Sequence, residues 1–362
     1  MQTNQVLPFN KENFKQIFSF KFLLVLCVSL PSALVADVFE LPLAWFLGPM
    51  LATSITALMG LKIKMPRLIL SIILILLGLY IGNYIDKNLF AQIQEWLFTS
   101  IIMFFYIIIS IFIVSKYLQK FSNYEKKTSI FSAAPGALGP LMILAEDQKT
   151  DLSHVATSHL IRLIIIITIF PFFVNSYYDV QPVNEVSNPL NDQNLIDLAI
   201  LIILSIIFIF FFNKIKFPAA LLSGTLVASG FLQITEVASY QFSSDIIDYC
   251  LLILGASVGC RFANKTFREI SKNAFHSLIA TLLLVLLGLV AAYIASLIID
   301  KNIFSLILSY CPGGIYEVAV IAIFFDLDPE FVSFHHIIRL LMILFVIPLI
   351  LKFYIKKNPP VN

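Results

Sequence analysis

Long runs of apolar residues, separated by short polar loops, follow one another along nearly the whole chain. A hydrocarbon core about 30 Å thick is crossed by roughly 20 consecutive apolar residues in a helix. The pattern predicts helices at 17–37, 42–60, 66–86, 96–117, 152–175, 196–213, 218–235, 245–262, 274–299 and 330–351. We therefore expect an all-α polytopic membrane protein.

Two further apolar segments, 129–147 and 303–326, are broken by proline and glycine. Irregular backbone at membrane depth is tolerated only when it is buried in protein or lines a watery cavity, because unpaired N–H and C=O groups are costly in lipid. We expect each proline to begin a half-helix whose free amides face the interior and favour an anion. The alternative is that proline and glycine only allow close helix packing or a kink. The breaking residues are Pro135, Gly136, Pro312, Gly313 and Gly314.

The two halves of the chain are copies of one unit. His159 and His336 lie 177 residues apart, and the same offset relates Arg162 to Arg339. Further pairs in this register are Asp151 with Asp328, Pro135 with Pro312, Gly136 with Gly313, Pro171 with Pro348, Gly78 with Gly255 and Gly82 with Gly259. One register held over so many landmarks indicates a duplication.

The duplication and the charged loops together predict a topology. Lysine and arginine cluster in short loops, which mark the cytoplasmic side, whereas the polar stretch near 177–194 is acidic. Five spanning helices plus one re-entrant segment per repeat satisfy these loops, so we expect inverted repeats, about ten crossings and both termini inside. The alternative is six spanning helices per unit in parallel repeats. The predicted parts are a cytoplasmic tail (1–15), repeat 1 (16–176), an extracytoplasmic linker (177–194), repeat 2 (195–353) and a cytoplasmic tail (354–362).

The arginines of the repeat are expected near the membrane midplane. Arg162 follows Asp151 by 11 residues, which is about 16 Å along a helix. A buried arginine is costly unless it is paired or hydrated, and His159 and His336 lie on the same helix face as the arginines. We interpret this polar stripe as a solute site. The alternative is that each arginine bonds carbonyls freed by the broken segment, or pairs with Glu317.

Other polar and small residues receive simpler interpretations. Glu317 is either a proton or ion carrier or an arginine counter-ion, and Pro140 occupies its position in the first repeat. His154 and His335 have no repeat counterparts and are interpreted as peripheral. The paired glycines of 78–82 and 255–259 are expected to allow close helix packing.

Composition excludes several classes of protein. The chain is 59% hydrophobic and 13% charged, with a net charge of +2, which favours no nucleic-acid partner. Its four cysteines form no C-x-x-C pair, and its five histidines show no metal-ligand spacing. We expect no metal, no cofactor and no catalytic residue.

Three stretches resemble the bacterial membrane AbrB family: "LPLAWFLGPMLA", "APGALGPLMILAEDQKTDLSHVATSHLIRL" and "CPGGIYEVAVIAIFFDLDPEFVSFHHIIRL". The resemblance covers essentially the whole chain, and its most specific part is P-G-G-x-x-E followed by a distal H-x-x-R. It implies a bacterial inner-membrane protein of a duplicated family that is also labelled ammonia monooxygenase and is linked to regulation of gene expression.

These observations favour a transporter-like protein that binds or moves a small anionic solute. A membrane sensor acting through a partner could use the same cavity, whereas a monooxygenase would need a cluster of metal ligands that the sequence lacks. The expected partners are the lipid bilayer and a small solute, with a second copy of the chain or a regulatory protein left open.

Overall fold

The computed structural model describes residues 11–85, 89–136, 138–177, 195–238, 245–263 and 265–357, and the secondary structure in those ranges is helical. The predicted all-α class is therefore confirmed for the described part of the chain. The predicted linker from residue 178 onward, most of the N-terminal tail and the end of the C-terminal tail lie outside the described residues.

Fifteen helices are described in these ranges. Those of the first half are α1 (Lys11–Ile17), α2 (Phe20–Val38), α3 (Ala44–Leu58), α4 (Arg67–Gly82), α5 (Leu89–Phe121), α6 (Lys126–Ala133), α7 (Leu138–Asp147) and α8 (Leu152–Asn175). Those of the second half are α9 (Leu195–Lys214), α10 (Ala220–Thr235), α11 (Asp245–Cys260), α12 (Phe267–Ser296), α13 (Ile303–Tyr310), α14 (Ile315–Phe324) and α15 (Pro329–Lys357). Each predicted helix has a counterpart, and each broken segment is a pair of short helices.

Six of the described helices are long and apolar enough to cross a membrane. They lie in α2, α5, α8, α9, α12 and α15. The helices α3, α4, α10 and α11 have 15 or 16 residues, which is about 24 Å of helix and shorter than a typical hydrocarbon core. The ten predicted crossings therefore stay a prediction.

The chain forms two compact units, each drawing segments from both sequence halves. Unit 1 comprises residues 1–91, 170–267 and 319–330, and unit 2 comprises 92–169, 268–318 and 331–362. The helices that contribute residues to both units are α5, α8, α12, α14 and α15. The two predicted repeats are successive stretches of sequence and do not coincide with these units. Their boundaries therefore stay a prediction.

Unit 1 is held by two reciprocal helix crossings, α3 with α11 and α4 with α10. A Cβ on Gly255 would lie 2.2 Å from the carbonyl oxygen of Phe46, and one on Gly78 would lie 2.4 Å from that of Leu222. No side chain fits such gaps, so the prediction that these glycines allow close packing is confirmed.

The second glycine of each pair repeats the arrangement one turn further on. A Cβ on Gly259 would lie 2.8 Å from the carbonyl oxygen of Met50, and one on Gly82 would lie 2.7 Å from that of Leu226. Met50 and Leu226 are 176 residues apart, close to the repeat offset. Each repeat thus places its glycine helix on the same face of the other repeat's partner helix.

Candidate functional site

Each broken segment contains a short turn of largely buried backbone between its two helices, and both turns lie in unit 2. We call residues 134–136, between α6 and α7, the first break, and residues 311–314, between α13 and α14, the second break. Ala134 and Cys311 are equivalent by the 177-residue offset. Each carbonyl at the end of α6 and α13 lacks an intrahelical donor and needs another one.

Both arginines bind these helix ends. Arg162 donates from Nη1 to the carbonyl oxygen of Ala134 at 2.5 Å, and from Nη2 to that of Ser132 at 2.7 Å. Arg339 donates from Nη1 to the carbonyl of Cys311, and from Nη2 to that of Gly313 at 2.6 Å. A helix C-terminus carries partial negative charge, and the planar guanidinium fork supplies two parallel donors. Part of each arginine's role is therefore to hold its own break.

The two breaks come together at Gly136. A Cβ on this residue would lie 2.8 Å from Nη2 of Arg339 and 3.0 Å from the carbonyl oxygen of Gly313. The φ angle of Gly136 is +98°, a conformation that side chains rarely adopt. Only glycine lets the first break approach the arginine of the second repeat so closely.

The formal charge buried in the described residues is concentrated here. The Lys, Arg, Asp and Glu side chains that are buried in that part of the chain are Arg162 at 2%, Arg339 at 1% and Glu317 at 1% exposure. Nε of Arg162 is also buried, without a hydrogen-bond partner among the described residues. A buried donor without a partner is costly, so this nitrogen marks an unsatisfied position within the cluster.

The carboxylate of Glu317 lies at the start of α14, where it is the third residue. A Cβ on Gly314 would lie 2.0 Å from its Oε2, so the carboxylate folds back over the preceding turn. A glutamate at the third helical position commonly reaches back to the free amides of the helix start. One neighbour of the Glu317 carboxylate is therefore Gly314, a contact that the sequence pattern did not predict.

The two histidines of the polar stripe are buried in unit 2 but bind different carbonyls. His159 donates from Nε2 to the carbonyl oxygen of Phe131 in α6 at 3.0 Å. His336 donates from Nδ1 to the carbonyl oxygen of Val332, one turn back in its own helix, at 3.0 Å. His159 therefore joins two helices, whereas this bond of His336 stays within α15.

Tyr106 of α5 is a candidate that the sequence analysis missed. It is 3% exposed, and its ring packs edge-on against Tyr310, the residue before Cys311 of the second break, with 6.1 Å between the ring centroids. The Tyr106 hydroxyl donates to the carbonyl oxygen of Leu284 over a long 3.4 Å. Leu283 occupies the equivalent position in the second repeat, so the duplication contained no signal for this tyrosine.

His335, which the sequence analysis interpreted as peripheral, lies in the core of unit 2. Its exposure is 0%, and its Nε2 is 2.7 Å from Oγ1 of Thr99 while Nδ1 donates to the carbonyl oxygen of Phe331. His154, in contrast, contacts Asp151 at the start of α8, with 2.6 Å between Nδ1 and Oδ2. Within the described ranges, no three His, Cys, Asp or Glu side chains are grouped so as to hold a metal ion.

Apolar helices of membrane-spanning length, together with a buried cluster of charges, define an integral membrane protein. The model of one family, described as "Transition state regulatory protein AbrB", matches residues 12–355. The chain belongs to this AbrB family, and the resemblance noted from its motifs is confirmed.

Two relatives are similar at low identity. "Uncharacterized protein YhjN" of Bacillus subtilis (strain 168) is 21% identical over 289 residues, covering 75% of each chain. "Putative regulator AbrB" of Escherichia coli (strain K12) is 20% identical over 319 residues, covering 87% of this chain and 90% of the relative. The similarity therefore extends over both sequence halves.

Proposed function

We propose that this protein is a transporter-like membrane protein that binds and moves a small anionic solute through a site at the two breaks. The observation that carries this proposal is the pair of buried guanidinium groups, each on the end of a broken helix, with the guanidinium of Arg339 also lying against Gly136 of the other break. Broken helices around buried charge at membrane depth are typical of secondary transporters. The breaks, the arginines and the two stripe histidines form the proposed solute site.

The proposed architecture is a pair of inverted repeats, each with five spanning helices and a re-entrant segment. The reciprocal crossings of unit 1 support a two-fold relation between the repeats, because each repeat makes the same contact with the other. The lysine-rich loops favour the inverted form of that relation. We further place the protein in a bacterial inner membrane, with both termini in the cytoplasm.

The depth of the arginines fits a midplane site. Arg162 and Arg339 are both the eleventh residue of their helix, α8 and α15. Eleven residues span about 16 Å, roughly half of a hydrocarbon core. The equal depth in both repeats is what an alternating-access site between repeats requires.

The binding test uses the full chain in detergent, with sodium acetate, sodium sulfate and sodium phosphate as probes. An anion that binds only the folded protein raises its thermal midpoint. Arg162→Lys and Arg339→Lys keep the charge but lose the two-pronged donor, and we expect each to weaken the binding of a stabilising anion by about tenfold or more. Arg268→Lys, on an exposed turn of α12, is the matched control and should bind like the wild type. Wild-type affinity in both lysine variants would remove the proposed site.

Topology is tested separately. A single cysteine placed at Glu185 should react with an impermeant thiol reagent added to whole cells, whereas one placed at Lys62 should not, on a background without the four native cysteines. The inverted arrangement would be contradicted if the cysteine at position 62 reacted in whole cells. It would also be contradicted if the cysteine at position 185 reacted only after the cells were lysed.

A second candidate function is a membrane regulatory protein that binds the same anion and signals through a partner chain. The description of the matching family as regulatory, and the name of the Escherichia coli relative, favour it. Protein reconstituted in liposomes separates the two: accumulation of a bound radiolabelled anion supports transport, while binding without accumulation supports regulation. A membrane monooxygenase has no supporting observation in the described residues.

A further inference from the structure

The charges buried at the breaks do not cancel. Arg162 and Arg339 contribute two positive charges, and the carboxylate of Glu317 contributes one negative charge. The three side chains lie in unit 2, and the remaining Lys, Arg, Asp and Glu side chains of the described residues are half-buried or exposed. These three side chains together therefore carry a net charge of about +1.

The carboxylate belongs to the same cluster as the arginines. Nη2 of Arg339 binds the carbonyl oxygen of Gly313, and the Glu317 carboxylate packs against the next residue, Gly314. The Cα atoms of these consecutive glycines are about 3.8 Å apart, so the carboxylate and the guanidinium contact neighbouring residues of the second break. At that spacing the negative charge offsets part of the positive field at the breaks.

The first break lacks this negative charge. Pro140 stands where the second repeat has Glu317, at the third position of α7. The unpartnered donor Nε belongs to Arg162, the arginine that binds the end of α6 in the first repeat. The repeat whose arginine has the unpartnered Nε therefore supplies no carboxylate at this position.

We propose that Glu317 sets the charge selectivity of the site, so that the two arginines and this one carboxylate select a small monoanion of the carboxylate type over a dianion. This inference rests on the anion-binding function proposed above. A charge taken out of water must be balanced by its surroundings. A monoanion neutralises the cluster, whereas a dianion leaves one uncompensated negative charge in the protein interior.

The shape of the site agrees with a carboxylate. The two oxygen atoms of a carboxylate accept several hydrogen bonds and suit guanidinium donors. Nε of Arg162 and Oγ of Ser132, whose carbonyl the same arginine binds, are buried without a hydrogen-bond partner in the described residues. Acetate is the smallest probe with this chemistry, and sulfate is a dianion that also accepts from guanidinium groups.

The experiment compares acetate with sulfate on the full chain in detergent at constant ionic strength, by isothermal titration and by thermal shift. The wild type should bind acetate more tightly than sulfate. Glu317→Gln removes the negative charge and keeps a side chain that caps a helix start equally well. We expect it to raise the affinity for sulfate relative to acetate by at least about tenfold, since a nearby charge of one unit is removed.

Glu269→Gln is the matched control. Glu269 is also the third residue of its helix, α12, but its side chain is exposed. This variant should leave the ratio of the two affinities unchanged. An equal shift in Glu269→Gln would show that the effect comes from helix starts in general and would overturn the proposal.

A second variant covers the case in which Glu317→Gln does not fold. Pro140→Glu adds a carboxylate at the equivalent position of the first repeat, which brings the cluster to a net charge of zero. We expect this variant to bind acetate at least about tenfold more weakly than the wild type. Unchanged acetate binding by folded Pro140→Glu would contradict the proposal.

The outcomes separate this inference from the proposed function. Acetate preference in the wild type, together with the shift in Glu317→Gln, supports both. Tighter sulfate binding by the wild type, or an unchanged ratio in folded Glu317→Gln, overturns the selectivity role while the anion site stands. Binding of neither probe by the wild type overturns both.

Discussion

The first and second breaks are equivalent positions of the two sequence repeats, yet their arginines make partly different hydrogen bonds. In both, the Nη1 group of an arginine binds the carbonyl of residue 134 or its equivalent, 311. The Nη2 groups diverge, since one binds Ser132 in α6 and the other binds Gly313 in the break itself. The comparison shows that the duplication preserved the anchoring of the broken helices, while the remaining polar groups became specialised.

The specialisation is one of charge and of backbone conformation. The second break carries Glu317, and the first has Pro140 in its place. The first break has the left-handed residue Gly136 at φ +98°, whereas the described positive-φ glycines do not include Gly313. In the proposed solute site, a small ligand would therefore meet two different faces.

The largest expected effect comes from adding one methyl group to each break. Gly136→Ala places a Cβ against Arg339 and the carbonyl of Gly313 in a left-handed conformation, and should lower the free energy of unfolding by roughly 2–4 kcal/mol. Gly313→Ala meets the tip of Val318 instead and should cost about 1–2 kcal/mol. Thermal unfolding in detergent measures both. Equal losses of stability in the two variants would contradict the proposed difference in backbone conformation between the two breaks.

A smaller effect is expected from two buried tyrosines whose rings pack edge-on but whose hydroxyls bind different carbonyls, Tyr106 and Tyr310. Tyr106→Phe removes a buried hydroxyl whose hydrogen bond to Leu284 is long, and it should weaken acetate binding by about tenfold. Tyr310→Phe removes a hydroxyl that donates to the carbonyl of Thr99 at 2.7 Å. It should lower stability by about 1 kcal/mol and leave acetate binding unchanged. Titration calorimetry on both variants decides, and a loss of binding in Tyr310→Phe alone would refute the assignment.

The stripe histidines allow a matched comparison of nearly equal volume loss. His159→Ala leaves the carbonyl of Phe131 without its donor, whereas the carbonyl of Val332 lies inside α15 and keeps a backbone donor when His336 is removed. We expect His159→Ala to be the less stable variant by about 1 kcal/mol. Thermal midpoints of the two variants, measured side by side, provide the test. The reverse order would show that His336 has the more important partner.

The smallest effect concerns the start of α8. Burial by itself would raise the pKa of the Asp151 carboxyl, but hydrogen bonds from the backbone of His154 and Ser153 and from the His154 ring hold it below its usual 3.8. The ionised carboxylate therefore stabilises the fold above that pH, and its contribution is lost as the pH falls through the lowered value. Asp151→Ala should cost about 0.5–1 kcal/mol at neutral pH, and this difference should shrink in acid. A pH-independent difference would argue against the ionised carboxylate.

Hydropathy predicted where the helices lie but not where they end. The predicted range 152–175 matches α8, Leu152–Asn175, whereas 96–117 became α5, Leu89–Phe121, and 330–351 became α15, Pro329–Lys357. Apolar windows report the part of a helix that prefers lipid. Backbone hydrogen bonding continues through polar residues, so helices extend beyond those windows.

The candidate site shows the same limit. The duplication pointed to Arg162 and Arg339 because an arginine inside an apolar helix is costly and commonly marks a functional position, and here it occurs in both repeats. It could not point to Tyr106, which has Leu283 as its counterpart, or to the buried position of His335, which has Ser158. These groups are found only when the helices are packed, since their neighbours lie far away along the chain.

The amino-acid sequence by itself determined the class of protein, the helix positions, the duplication, the two breaks and the arginines near mid-helix. Each of these follows from local hydropathy or from internal similarity, which need no knowledge of packing. Only the tertiary structure decided that the arginines bind the ends of α6 and α13, that Gly136 lies against Arg339, and that Glu317 folds over Gly314. Those contacts depend on which helices meet in the fold, and hydropathy does not contain that information.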